Sequence, residues 1–417
     1  MTLTAWIAIA VILVTVWALI KRFETRLTLM AAGLFLCVIS LDPMMGLNQF
    51  AKSMTNNSLV MAICGSMGFA FTASYAQCDR SLVHYLAAPV RGLGIFLIPV
   101  CTVITFFVNI AIPSAAGCAA AVGSTLIPVM LRAGIKPAAV LAGTIGSYLS
   151  PGTSHNPYVA KMANMDVMDF IGFHSYYSLM CGVIVTVGVL IVCLVLRDNK
   201  GDTNAQVDES KLQKGDFKPN PLKALVMLVP ITILVVGNMW VPAIKMGVAQ
   251  AMLIGAIAAL VVSLTNPQQF SKEFFNGMGK GYADVMGIII AAGVFAAGLR
   301  ASGLIDVCVD ALKHSNEFAR WGGALGPWIM GVLTGSGDAA TLAFNEAVTP
   351  HAPEFGMSIH GLGALAFLTG ALGRTMSPLA GVTILVSGIA MVSPVDVIKR
   401  TAIPCTIAVL ACAILMV

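Results

Sequence analysis

Charge is what this chain has least of: only 10% of its 417 residues are Asp, Glu, Lys or Arg, against about a quarter in soluble globular domains. With 58% hydrophobic residues and a mean hydropathy of +0.89, a water-facing fold is excluded and lipid is the expected solvent. No basic stripe interleaves with aromatics, which argues against nucleic acid as a partner. The ten cysteines contain no Cys-x-x-Cys and form no Cys/His cluster of metal-ligand spacing, so neither a metal nor a cofactor is expected. They scatter through apolar runs and read as small core residues. The phosphate-binding glycine fingerprints are missing, and Gly335-Ser336-Gly337 lacks the flanking glycines of a nucleophile elbow. An enzyme is not expected, and without an ATP-driven module any solute movement must run on gradients or exchange. The first apolar run ends in Lys21-Arg22 with neither a charged leader nor a small-residue cleavage motif, so it reads as a retained helix.

What is present is a succession of apolar runs, about 20 residues being enough to span a hydrocarbon core. They fall at about 3–20, 25–43, 58–78, 93–112, 115–131, 137–171 (interrupted) and 174–196. A second set lies at 222–240, 246–264, 283–304, 321–333, 339–350, 359–392 (interrupted) and 400–417. The one long hydrophilic stretch, 197–221, separates the sets and reads as a mobile linker. The flanking halves, 1–196 and 222–417, also share sequence. Gly143-x-x-Gly146-x-x-x-Ser150-Pro151 returns as Gly370-x-x-Gly373-x-x-x-Ser377-Pro378, 227 positions later. Asp169 and Asp396 keep that offset, while Ser114, Pro128 and Gly134 match Ser336, Pro350 and Gly356 at 222. Such an ordered series marks an internal duplication.

Parity sets its geometry. If 93–131 and 321–350 are paired arms entering and leaving on one side, each half keeps five full spans and the halves run in opposite senses. The expected fold class is therefore all-α and integral to the membrane: two inverted repeats of five spans plus one re-entrant hairpin each, the plan of many secondary transporters. With the 21–26 loop inside, seventeen Lys and Arg fall on the cytoplasmic side and six on the other, with Arg374 inside a span. That bias predicts an outside N-terminus and a cytoplasmic linker.

Two kinds of interruption recur in each half: hairpin tips at 112–117 and 333–338, and helix breaks at Ser150–Pro157 and Arg374–Gly381. Proline and glycine here leave helix-end N–H and C=O groups unpaired at membrane depth, where they suit anions and cations respectively. The neutral ligands nearby are Ser114, Ser150, Thr153, Ser154, Asn156, Thr334, Ser336, Thr375 and Ser377. The bland alternative is that such small residues only ease helix packing. A charge inside the bilayer costs at least ~2.5 kcal/mol, so Asp338 and Arg374 demand a role. Asp338 can carry a proton or hold a cation, and Arg374 can clamp a carboxylate bidentately. Mutual neutralisation is the alternative for both. His155, as a proton relay, and Glu346 are weaker candidates.

The Ser150–Ile171 segment (SPGTSHNPYVAKMANMDVMDFI) and the stretch TGSGDAATLAFNEAVTPH in the second hairpin resemble the DcuC family of anaerobic C4-dicarboxylate carriers, and the resemblance runs along essentially the whole chain. It implies an elevator-type homodimer of the bacterial inner membrane carrying succinate, fumarate or malate, small dicarboxylate anions. Relatives also handle basic amino acids, so an amino acid exchanger or cation/proton antiporter is the alternative. The stretches 3–43 and 222–264, whose spans lack interior charges and breaks, would then form the scaffold and dimer contact, with 93–171 and 320–392 as the transport core. The Ser-Asn-Thr triplets by which the wider superfamily binds carboxylates and sodium are absent at all four interruptions. That departure moves the expected coupling from sodium, which stays possible, toward proton symport or exchange through Asp338.

Overall fold

Helix starts follow the side chains that the sequence supplies for them. Glu24, Asp42, Asn56, Asp166, Asn220, Asn266, Ser336, Ser358 and Ser393 each accept a hydrogen bond from a backbone N–H in the following turn, satisfying donors that a helix end leaves orphaned. Pro43, Pro221, Pro267 and Pro394 sit in the first turn, where their missing N–H costs nothing.

The computed structural model describes residues 3–21, 23–87, 94–112, 115–136, 144–198, 218–305, 307 and 316–416, and every regular element among them is helical. The first half holds α1 (Leu3–Ile20), α2 (Thr25–Ile39), α3 (Pro43–Met54), α4 (Asn57–Tyr75), α5 (Cys78–Ala87), α6 (Leu97–Ala111), α7 (Ala115–Arg132), α8 (His155–Met162) and α9 (Val167–Val195). The second holds α10 (Pro221–Val226), α11 (Val229–Met239), α12 (Val248–Ser263), α13 (Pro267–Lys280), α14 (Gly287–Ala301), α15 (Asn316–Thr334), α16 (Gly337–Ala347), α17 (Ile359–Thr375), α18 (Gly381–Ile389) and α19 (Pro394–Leu415). The order helical hairpin, broken helix, long helix occurs in α6–α9 and again in α15–α19.

Long helices present apolar stripes outward, as lipid requires. On α9, Leu179, Val183, Val187, Ile191 and Leu194 are exposed, while Cys181, Val185, Val189 and Cys193 are buried. Ile403, Ile407, Leu410 and Ile414 form the matching exposed stripe on α19, which packs against α9. The nine described cysteines are all buried and unbridged, and Cys308 lies outside the described residues. Among the described residues, four stretches are long and apolar enough to cross a bilayer: Leu3–Ile20, Val167–Val195, Pro267–Ala301 and Pro394–Leu415. A fifth arises if Pro43–Met54 and Leu59–Tyr75, bent by 49°, count as one. The ten spans expected from hydropathy are not all met by single long helices; 25–43 and 246–264 shorten to α2 and α12, and 222–240 splits into α10 and α11. The run expected at 283–304 begins sixteen residues earlier, because polar α13 continues through a π-turn (Gly281–Met286) into α14.

Helices of opposite halves meet at glycines. A Cβ on Gly33 of α2 would lie 2.5 Å from the Val294 carbonyl oxygen, and one on Gly298 of α14 would lie 2.4 Å from that of Gly33. Only bare backbone fits at that crossing.

The hydrophilic stretch is not mobile from its first residues. Asp198 is fully buried and takes a forked pair of bonds from Arg400, Nε to Oδ2 and Nη2 to Oδ1, both 2.9 Å. Arg400 also donates to the Asp396 carbonyl, and Lys136 N–H donates to the Asp198 carbonyl. The chain leaving α9 is thereby fastened to α19; residues 199–217 lie outside the described residues. Breaking a buried pair leaves one charge uncompensated, at a cost of roughly 3–5 kcal/mol. Asp198→Asn should therefore lower the thermal stability of the detergent-solubilised protein sharply, and Asp198→Leu with Arg400→Met should recover most of the loss. A melting curve unchanged by Asp198→Asn would show that the pair does not fasten the helices.

Candidate functional site

The second hairpin turns at Gly335, whose φ of +72° is the left-handed conformation that glycine adopts without cost. A Cβ there would also sit 2.6 Å from the Leu379 carbonyl carbon, so the tip rests directly on the break between α17 and α18. Ser336 caps α16, and Asp338 follows in its first turn. The arms lie tight on α17: a Cβ on Gly331 would meet the Gly370 carbonyl oxygen at 2.4 Å, and one on Gly373 would meet that of Trp328 at 2.2 Å. This close approach sets Arg374 beside the tip.

The first half supplies the opposite wall. After a 3-10 turn (Thr144–Leu149) the chain breaks and restarts as α8 at His155. The loose carbonyls of Tyr148 and Ser150 are taken up by Asn156 Nδ2, at 2.7 and 2.8 Å, and Asn156 Oδ1 accepts from His174 Nε2 at 3.1 Å. With its neighbours so fixed, His155 is 2% exposed, stacks on Phe367 with ring centroids 4.4 Å apart, and points at Asp338.

The three charge-bearing groups share one atom. Asp338 Oδ1 accepts from His155 Nε2 at 3.1 Å and lies 3.5 Å from Arg374 Nη1. These groups line a cavity of about 400 Å³ together with Thr153, Ser154 and Ser336, and Lys280 and Asp284 also border it. The Asp338 side chain is 47% exposed, and that exposure faces this cavity. Among the described residues, Asp338 is the one ion-pair partner of Arg374 and no hydrogen bond uses its guanidinium. His155 Nδ1 likewise has no partner among them. A planar fork with free donors at such a cavity is equipped to receive a carboxylate.

Of the residues singled out from sequence, Thr153, Ser154, Ser336, Asp338 and Arg374 come together here. Thr334 lines the far side of the tip, where its hydroxyl donates to the Met330 carbonyl and accepts from Ser336 N–H. Ser150 and Asn156 are buried behind the wall and spend their polar atoms on the break itself. Ser377 does the same, accepting from Leu379 N–H. Thr375 does not line this cavity; it borders a smaller one with Thr383 and Thr401, which Arg374 also borders. Ser114 lies outside the described residues. His155, expected as a weaker candidate for a proton relay, proves to be the closest polar partner of Asp338. The 280–286 border was missed altogether: Lys280 and Asp284 are paired at 2.9 Å, and their i,i+4 spacing beside Gly281 was the available signal.

The family model described as C4-dicarboxylate anaerobic carrier, DcuC, matches residues 39–417. A Haemophilus influenzae protein named only as an uncharacterized transporter is 46% identical over 278 residues, covering 64% of this chain and 99% of that protein. The anaerobic C4-dicarboxylate transporter DcuC of Escherichia coli K12 is 25% identical over 362 residues, covering 83% of this chain and 77% of that one. Among solved structures, the YdaH transporter of Alcanivorax borkumensis superposes with a TM-score of 0.60 at 13% identity, covering 89% of this chain and 86% of that one. This likeness is one of fold.

The geometry separates two neighbouring residues. Arg374→Lys replaces a fork by a point charge and should lower uptake of an anionic substrate by roughly tenfold or more, about 1.4 kcal/mol per tenfold. Thr375→Val, one residue along but facing elsewhere, should leave uptake within about twofold at equal expression. Equal effects of the two substitutions would remove Arg374 from the site.

Proposed function

The chain belongs to the DcuC family of C4-dicarboxylate anaerobic carriers, and on that premise we propose that it carries a C4-dicarboxylate such as succinate, fumarate or malate across the bacterial inner membrane. It is an integral membrane transporter, not an enzyme. The observation that carries the substrate reading is the guanidinium of Arg374, free of hydrogen bonds among the described residues, at a cavity that Thr153, Ser154, His155 and Ser336 also line. One substrate carboxylate sits on Arg374, and the hydroxyls and His155 receive the other.

Coupling follows from charge balance. Asp338 leans on both His155 and Arg374. An arriving carboxylate competes with Asp338 for the same guanidinium, and a proton taken up on Asp338 offsets one of the two negative charges that a dicarboxylate brings. Proton and dicarboxylate therefore load together, or one dicarboxylate replaces another.

Transport by a sliding core is supported by how the cavity is assembled. At the offsets of the internal duplication, Ser147 pairs with Arg374, Ser154 with Gly381, His155 with Val382 and Ala115 with Gly337, and all eight residues line it. Two inverted repeats that bring equivalent positions to one central site are the architecture of alternating access. The core would comprise the two hairpins and two breaks, moving against a scaffold of 3–43 and 222–264. Leu253, Ile257 and Val261 of α12 stand exposed on that scaffold and suit a homodimer contact.

In proteoliposomes, counterflow of labelled succinate should be competed by fumarate and malate and not by arginine or lysine. Uptake should rise as external pH falls and collapse with an uncoupler. Asp338→Asn should keep exchange while losing the pH dependence and accumulation against a gradient. Competition by basic amino acids alone would overturn the substrate, and sodium-dependent, pH-independent uptake unchanged by Asp338→Asn would overturn the coupling.

A further inference from the structure

A second cavity, of about 520 Å³, lies at the other end of the same helices. On the helical stretch Pro267–Ala301, Lys280, Asp284 and Val285 border the central cavity and Ile289 and Arg300 the second, so the nearest lining residues are about 6 Å apart at 1.5 Å per residue. On α16, Asp338 faces the first and Glu346 the second, about 12 Å farther along. On α8, His155 and Tyr158 divide in the same order. The two cavities thus share α8 and α16 as walls and follow one another along them. The Lys and Arg distribution expected from the sequence counts Lys52, Lys161 and Arg300, which line the second, among the external positions.

Its chemistry is that of a carboxylate receptor. Lys52, Lys161 and Arg300 line it, and its one acid is Glu346. The Glu346 carboxylate is held by the Tyr158 hydroxyl, by Gln49 Nε2 at 3.4 Å and by Arg300 Nη2 at 3.6 Å. Donors already arranged around one carboxylate can hold another of the same shape. Lys52 has no partner among the described residues, Lys161 donates only to the neutral Asn56 side chain, and His351 is engaged by Glu354 at 2.8 Å. The surplus is therefore cationic, and it stands at the rim.

We propose that this cavity is an external capture site for the transported dicarboxylate, distinct from the central one and resting on the carrier reading above. One carboxylate of the ligand shares Arg300 and Gln49 with Glu346, and the other is held by Lys52 and Lys161. Charges of one sign lining a cleft concentrate counter-ions and speed their encounter, an effect that salt screens.

The test is the sidedness of KM in proteoliposomes of fixed orientation. For Lys52→Gln with Lys161→Gln, the ratio of external to cytoplasmic KM for succinate should rise at least threefold at low ionic strength. The rise should shrink in about 1 M salt, where the screening length falls to about 3 Å. Arg300→Gln with Glu346→Gln, which removes one charge of each sign, should raise the same ratio with a weaker salt dependence. A ratio unchanged in both double variants, or KM rising equally on both faces, overturns the capture site and leaves the carrier reading standing. Wild type that moves no dicarboxylate overturns both.

Discussion

Inside hydrocarbon no water is available to pair with peptide groups, so a helix can stop there only where something else takes over its bonds. This chain stops at such depth repeatedly, and side chains stand in each time. Asn156 gathers the carbonyls of Tyr148 and Ser150, and Asn109 receives Ser147 N–H while donating to the Ile112 carbonyl. Ser377 and Thr334 perform the same service at the second break and second tip. Each orphaned group would otherwise cost about 1–3 kcal/mol. Because these bonds pin the ends of broken helices, the walls of the central cavity hold their shape, and the residues pointing into it are held with them.

The charges in that cavity come from different parts of the chain. Asp338 is carried by a hairpin and Arg374 by a broken helix of the second half, while His155 starts a helix of the first. The site therefore exists only when both halves are docked. Its acid is shared between an arginine and a histidine through a single oxygen, which leaves most of the guanidinium donors available. A site with a spare fork beside a single acid has the donors to receive a second carboxylate.

Much of this was legible in the sequence because it is local. Three of the four interruptions follow from Pro151, Pro157, Pro378 and the glycines around Ser336, while residues 113 and 114 of the first tip lie outside the described residues; the Asp338–Arg374 pairing was foreseeable from the expense of two unpaired charges at depth. The α3 and α13 segments escaped the hydropathy reading because their helices are capped by Asp42–Pro43 and Asn266–Pro267 but are polar enough to resemble loops. The roles of Asn156 and His155 were not legible. Whether an asparagine serves a ligand or its own backbone depends on which loose carbonyls it faces. The His155–Asp338 contact spans 183 positions, and the Asp198–Arg400 fork spans 202. Nothing in the local pattern marks either.

The central claim is that the substrate carboxylate displaces Asp338 from Arg374. A structure determined by electron cryomicroscopy in lipid nanodiscs with saturating succinate tests it most directly. The account predicts ligand density between the Arg374 guanidinium and the hydroxyls of Ser154 and Ser336, with Asp338 Oδ1 moved beyond the 3.5 Å at which it now stands from Arg374. Ligand bound elsewhere, or bound with the Asp338–Arg374 contact intact, would contradict it.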